Sequence, residues 1–217
     1  MPPYKLIVFD LDGTLVDSRR DIADAADALL ESCGAAPLPI DRIGRMVGDG
    51  AATLVARAFE AAGVERPPDA LERFIAIYGR RLLAHTRPYP FIVDVLETLS
   101  TSSTLAVLTN KPLAATREIL AGLDLARFFS EGRIVGGDGP LPRKPDPAGL
   151  RHLMTSAEAG AADTMLVGDS AIDWRTARAA GTAICVARYG FGFEGFPREH
   201  LDGGESLIDD PRQLLRL

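Results

Sequence analysis

Five short stretches of the chain are apolar almost without a break and end on turn or polar residues. They are "KLIVFD" at 5–10, "TLAVLTN" at 104–110, "IVGG" at 134–137, "TMLVGDS" at 164–170 and "AICVAR" at 183–188. Runs of this length without alternation predict strands buried on both faces, as in a parallel sheet. Between them, apolar positions recur every three or four residues, which predicts helices over about 91–100, 112–122, 146–157 and 171–180. Strand–helix alternation of this kind predicts an α/β fold, a doubly wound, Rossmann-like parallel sheet.

The rhythm breaks once. Roughly eighty residues without a strand-like run separate the first stretch from the second, far more than a crossover needs. Ser18 and Asp21 form an S-x-x-D helix-start signal, followed by Ile22, Ala25, Ala26, Leu29, Leu30 and Cys33 at helical spacing. Helical patterns also cover "AATLVARAFEAAG" and "DALERFIAIYGRRLLAH", and the interval closes on "RPYP", whose prolines favour extended chain. The expected organisation is an α/β core of residues 1–17 and 87–217, with a helical cap of residues 18–86 inserted after the first strand. The Gly-rich stretch from Gly190 to Asp210 predicts a long loop, with a last short strand at "SLI".

Composition narrows the partners. The net charge of −6 over 217 residues argues against coating nucleic acid or binding a membrane through a polybasic surface. A small anionic substrate stays open, because a metal ion or a few local cations can reverse the field at one site. No apolar run approaches the ~18 residues of a membrane span. The first apolar stretch is short and runs straight into Asp10, unlike a signal peptide. Cys33 and Cys185 read as isolated thiols of a reducing compartment. A cytoplasmic protein is expected; nothing in the pattern sets an oligomeric state.

In doubly wound sheets, ligands bind beyond the carboxyl ends of the strands. Polar residues gather at those ends: Asp10 and Asp12; Thr109 and Asn110; Lys144; Asp169, with Asp173 four residues on. Asp10 and Asp12 stand two residues apart and repel one another when both ionise. A hard cation relieves that repulsion, and Asp10, Asp12, Asp169 and Asp173 offer the oxygen ligands that magnesium prefers. A phosphate would find charge in magnesium and Lys144, and donors in the Thr109 hydroxyl and the backbone N–H groups near Asn110 and Gly13. An aspartate can then act as nucleophile. Plainer readings stand beside these. Thr109 suits a strand-end cap, and Lys144 a solvated loop, although Pro145 restrains its backbone and "DP" reads as an N-cap and first helical residue. Asp173, three residues after Ser170, fits a capping box, which is compatible with metal binding.

The ordered set "DLDGT", "LTN", "KPDP", "GDSAID" resembles the magnesium-dependent phosphatases of the haloacid dehalogenase-like superfamily. That resemblance implies that Asp10 is the nucleophile, forming an aspartyl-phosphate. It implies that Asp12 is the general acid and then the base, that Thr109 and Lys144 bind the phosphoryl group, that Asp169 ligates magnesium and that Asp173 supports the metal and its waters. It also makes the insert a small helical cap. Asp12 argues against the dehalogenases, which lack the second aspartate. The three lysines, Lys5, Lys111 and Lys144, leave none in the insert for the Schiff base of the phosphonatases.

"VGDGA" from Val47, "RPYP", "GGD" from Gly136 and "RYGFG" from Arg188 resemble the phosphoglycolate phosphatases, with Phe91 where those usually have glycine. The expected substrate is therefore a small phosphorylated metabolite, 2-phosphoglycolate first. Phosphatases of pyrophosphate or other metabolites and the β-phosphoglucomutases share the plan. A non-catalytic phosphate- or partner-binding module on the same fold would have no need of Asp10, Asp12 and Lys144. Arg45, just before "VGDG", is the candidate for a substrate carboxylate, since guanidinium pairs with carboxylates bidentately.

Overall fold

The structure, a computed structural model, describes residues 4–217, so the first three residues of the expected core segment lie outside it. Strand β1 (Leu6–Phe9) leads into a two-residue strand β2 (Val16–Asp17), then four helices: α1 (Arg19–Glu31), α2 (Ile40–Gly44), α3 (Ala51–Ala62) and α4 (Ala70–Gly79). A second two-residue strand, β3 (Arg87–Pro88), returns the chain to the sheet. Alternation follows through α5 (Ile92–Ser100), β4 (Thr104–Leu108), α6 (Leu113–Gly122), β5 (Ile134–Val135), α7 (Ala148–Ser156), β6 (Thr164–Gly168), α8 (Ala171–Ala180), β7 (Ala183–Ala187) and β8 (Ser206–Ile208). Among the described residues, no helix is long and apolar enough to cross a membrane.

The main sheet is parallel, in the order β5-β4-β1-β6-β7-β8. Both faces of β1 are buried, which explains its unbroken apolar run. Leu6 and Val8 pack with Leu150 and Leu153 of α7 and Ala177 of α8. Ile7 and Phe9 face the other layer, with Val95 and Leu96 of α5 and Ile119 of α6. The chain steps outward from β1 to β4 and β5, then crosses back to β6 on the other side of β1. This reversal opens a crevice beyond the carboxyl ends of β4, β1 and β6.

The residues between β2 and β3 are helical, and the two linkers pair antiparallel, Val16 with Pro88 and Asp17 with Arg87. The S-x-x-D signal marks the start of α1, but the two side chains bond elsewhere. Ser18 Oγ donates to Asp12, 2.5 Å away. Asp21 is fully buried and accepts from the backbone N–H of His85 (2.9 Å) and Thr86 (2.8 Å), tying the exit linker to α1. The pattern predicts helix to His85, whereas α4 ends at Gly79. Glycine weakens a helix, and the chain must turn there to bring His85 and Thr86 back to Asp21. Likewise α7 starts after Pro147, not at it, and Asp146 Oδ1 accepts from Ala148 N at 2.8 Å.

Candidate active site

Asp10 follows β1 directly, its N–H donating to Val167 O of β6 at 2.9 Å. The chain then doubles back. Leu11 O accepts from Leu15 N (3.0 Å) and Val16 N (3.1 Å), while Gly13 N donates to Val16 O (2.9 Å). Gly13 has φ +87°, and a Cβ there would collide with the Asp169 carboxylate. Glycine is required both for the left-handed backbone and for that close approach. Its N–H is consumed inside the turn, so the expectation that Gly13 offers a phosphate donor is corrected: Gly13 contributes space.

Three carboxylates converge. Asp10, Asp169 and Asp173 are buried, and each places an oxygen within 4.8 Å of the others. Lys144 Nζ lies 2.8 Å from Asp10 Oδ1 and 2.6 Å from Asp173 Oδ1. The other oxygen of Asp173 accepts from Ser170 Oγ (2.6 Å) and Ser170 N (3.1 Å), completing the expected capping box. Asp169 Oδ2 accepts from Gly192 N at 2.7 Å. The Asp12 carboxylate stays outside this group. Its oxygens take Lys111 Nζ at 2.9 and 2.8 Å, together with Ser18.

The site thus holds Asp10, Asp12, Asp169 and Asp173 against Lys111 and Lys144, two more acids than ammoniums. Burial raises the Asp10 carboxyl to about 7; Lys144 opposes that rise, and Asp173 and Asp12 add to it. Burial, with Asp10 and Asp173 nearby, also holds Asp169 well above the usual carboxylate range. Burial works against the Lys144 ammonium, but Asp10 and Asp173 outweigh it and keep it charged. Asp10 Oδ2 and Asp169 Oδ1 accept no hydrogen bond from the described residues. An excess of two buried carboxylates with unshared oxygens fits a divalent, oxygen-seeking cation.

Above the cluster lies a cavity of about 250 Å³, bounded by core residues Asp10, Asp12 and Lys111 and by insert residues Leu54, Phe74 and Tyr78. Thr109 Oγ1 accepts from Lys111 N at 3.2 Å, which leaves its own proton free. The Asn110 side chain is a strut: Nδ2 donates to Gly48 O of the insert and to Lys144 O, both at 2.9 Å. Arg45 does not line the cavity. It is half exposed at the end of α2 and pairs with Glu194 at 3.2 Å.

Lys111 and Tyr78 carry little sequence signal. Lys111 precedes Pro112 at a strand end and reads as a solvated loop lysine; its partner Asp12 is 99 residues away and becomes a neighbour only because β1 and β4 pair. Tyr78 follows Phe74 by one helical turn and reads as core packing, which it also provides, with the rings stacked 5.8 Å apart.

The model of the family described as haloacid dehalogenase-like hydrolase matches residues 7–187, a span that contains the whole cluster. The chain is 43% identical over 199 residues to a protein of Rhodospirillum rubrum named phosphoglycolate phosphatase, covering 88% of this chain and 82% of that one. It is 37% identical to phosphoglycolate phosphatase 1 of Pseudomonas aeruginosa, over 97% of this chain and 78% of that one. A crystal structure from Haemophilus somnus, described as a predicted phosphoglycolate phosphatase, superposes with a TM-score of 0.90 at 30% identity, over 100% of this chain and 98% of the other.

Proposed function

The chain belongs to the haloacid dehalogenase-like hydrolase family, and we propose that it hydrolyses small phosphomonoesters, 2-phosphoglycolate foremost, through a phosphoryl group carried on Asp10 beside a bound magnesium ion. It is a phosphoric monoester hydrolase. The observation that carries the reading is the cluster of Asp10, Asp169 and Asp173 at the carboxyl ends of β1 and β6, with Lys144 paired to Asp10 and Asp173, beneath a cavity. The names of the relatives support the substrate.

Asp10 and Asp169, each with an unshared oxygen, would hold the metal, and Asp173 would steady it through Lys144 and Ser170. Magnesium supplies positive charge that lets a phosphate dianion approach an ionised Asp10. The chain's own groups do the rest. Asp10 supplies the attacking carboxylate oxygen. Lys144, the Thr109 hydroxyl and the Asn110 backbone N–H, which finds no protein acceptor among the described residues, hold the phosphoryl oxygens. In its protonated form Asp12 gives a proton to the leaving oxygen, then regains one from the water that attacks the phosphorus and frees Asp10. Lys111 and Ser18 fix the Asp12 carboxyl for both steps. The helical insert, residues 18–86, acts as the cap that excludes bulk water. It reaches the core through the Gly48 carbonyl on Asn110.

Phosphate release from a panel of small phosphomonoesters, with magnesium and with chelator, tests the reading. The expected result is strict magnesium dependence with 2-phosphoglycolate as the best substrate. Full turnover under chelation would overturn the metal assignment, and a best substrate without a carboxylate would overturn the phosphoglycolate assignment.

A further inference from the structure

We propose that Lys111 of the core and Tyr78 of the insert form the subsite that receives the substrate's carboxylate; this rests on the phosphoglycolate reading above. With its phosphate on the Asp10–Lys144 floor, 2-phosphoglycolate must place its carboxylate inside the same small cavity. Lys111 is the one basic side chain lining that cavity among the described residues; the other charged lining residues, Asp10, Asp12, Asp169 and Glu118, are all acids. Arg45 is committed to Glu194 at the surface. A carboxylate entering without a cation would be both repelled and desolvated.

The geometry around Lys111 suits that task. Its ammonium is buried and has three donors. Asp12 engages it at 2.8 and 2.9 Å from one side, leaving donor capacity towards the cavity. Burial opposes the charge on Lys111, but Asp12 and Tyr78 together outweigh that and hold it protonated. The Tyr78 ring lies beneath Nζ, 4.7 Å away at its centroid. Tyr78 is buried and borders the same cavity, and its hydroxyl is one of the few buried polar atoms with no hydrogen-bond partner among the described residues. An unpartnered buried hydroxyl is costly, and a ligand acceptor beside Lys111 would relieve that cost. Specificity follows, because a tail without a carboxylate leaves the hydroxyl unpaired and an ammonium half-used.

The arrangement also links the insert to the chemistry. Lys111 touches Asp12 directly, so the residue that meets the substrate tail also positions the general acid, and Tyr78 brings a side chain of the insert to the same place.

The test compares kcat/KM for 2-phosphoglycolate with that for ethyl phosphate, which lacks the carboxylate, in the magnesium-loaded enzyme. The wild-type ratio should strongly favour 2-phosphoglycolate. Tyr78→Phe keeps the ring and its packing, and should lower the ratio about tenfold. Lys111→Met should slow both substrates by releasing Asp12, and should lower the ratio further, about a hundredfold. If the wild type prefers 2-phosphoglycolate but neither variant changes the ratio, the subsite is overturned and the substrate reading stands. A wild type without preference overturns both. A ratio that falls in Tyr78→Phe, with the melting temperature retained, supports the subsite.

Discussion

The Lys144 ammonium lies 2.8 Å from Asp10 Oδ1, both groups buried at the junction of two strand ends. The same ammonium reaches Asp173 at 2.6 Å. Removing it therefore leaves two buried carboxylates without their cation. Breaking a buried pair in this way costs about 3–5 kcal/mol. Lys144→Met is predicted to lower the stability of the metal-free protein by about that much, to recover part of it on adding magnesium, and to lose at least a hundredfold in turnover. Denaturant unfolding with and without magnesium, beside steady-state kinetics, checks this.

The two acids with raised pKa values give a pH signature in the metal-free protein. An acid whose folded pKa exceeds its unfolded value binds its proton more tightly when folded, so stability falls as pH rises between the two values. For Asp10 that window runs from 3.8 to about 7, and Asp169 shifts in the same direction. In chelator, acidification from about pH 8 to about pH 5 should raise the contribution of these residues to stability. Magnesium should remove that dependence, so the melting-temperature gain on adding it should be larger at the higher pH. A gain independent of pH would contradict the charge account of the cluster.

Asp12 is held by Lys111 and Ser18, away from the three clustered acids, which fits proton transfer more than metal ligation. In pre-steady-state measurements, Asp12→Asn should slow phosphorylation by an alkyl phosphate much more than by an aryl phosphate, whose leaving group departs without an acid. Equal losses would remove Asp12 from that role.

Arg45 faces Glu194 with both side chains half exposed. Such pairs contribute about 0–1 kcal/mol. Arg45→Ala is accordingly predicted to change kcat/KM for 2-phosphoglycolate less than about fivefold. A drop of a hundredfold would return the substrate carboxylate to Arg45.

Much of this is legible in the chain because the core is made of unbroken apolar strands that each end on a reactive side chain. "IVFDLD" and "MLVGDS" read as strand plus acid, and the structure places Asp10 and Asp169 at those ends. What is hidden depends on partners distant in sequence. Ser18 and Asp21 look like one local cap, yet one bonds Asp12 and the other the backbone of His85 and Thr86. The five-residue helix Ile40–Gly44 is too short to carry a period. Lys111 gains its role from β1–β4 pairing, and Tyr78 from the placement of the insert over the core.

If Asp10 carries the phosphoryl group, the acyl phosphate can be trapped on it. Acid quenching of the magnesium-loaded enzyme during turnover of radiolabelled 2-phosphoglycolate, followed by borohydride reduction and peptide mapping, tests this most directly. Borohydride converts an aspartyl-phosphate to homoserine. The account predicts acid-stable phosphoryl label on the protein before reduction, its release as phosphate by borohydride, and homoserine at position 10 afterwards, all lost in Asp10→Asn. Turnover at full rate with no acid-stable label, or with the label on another residue, would contradict it.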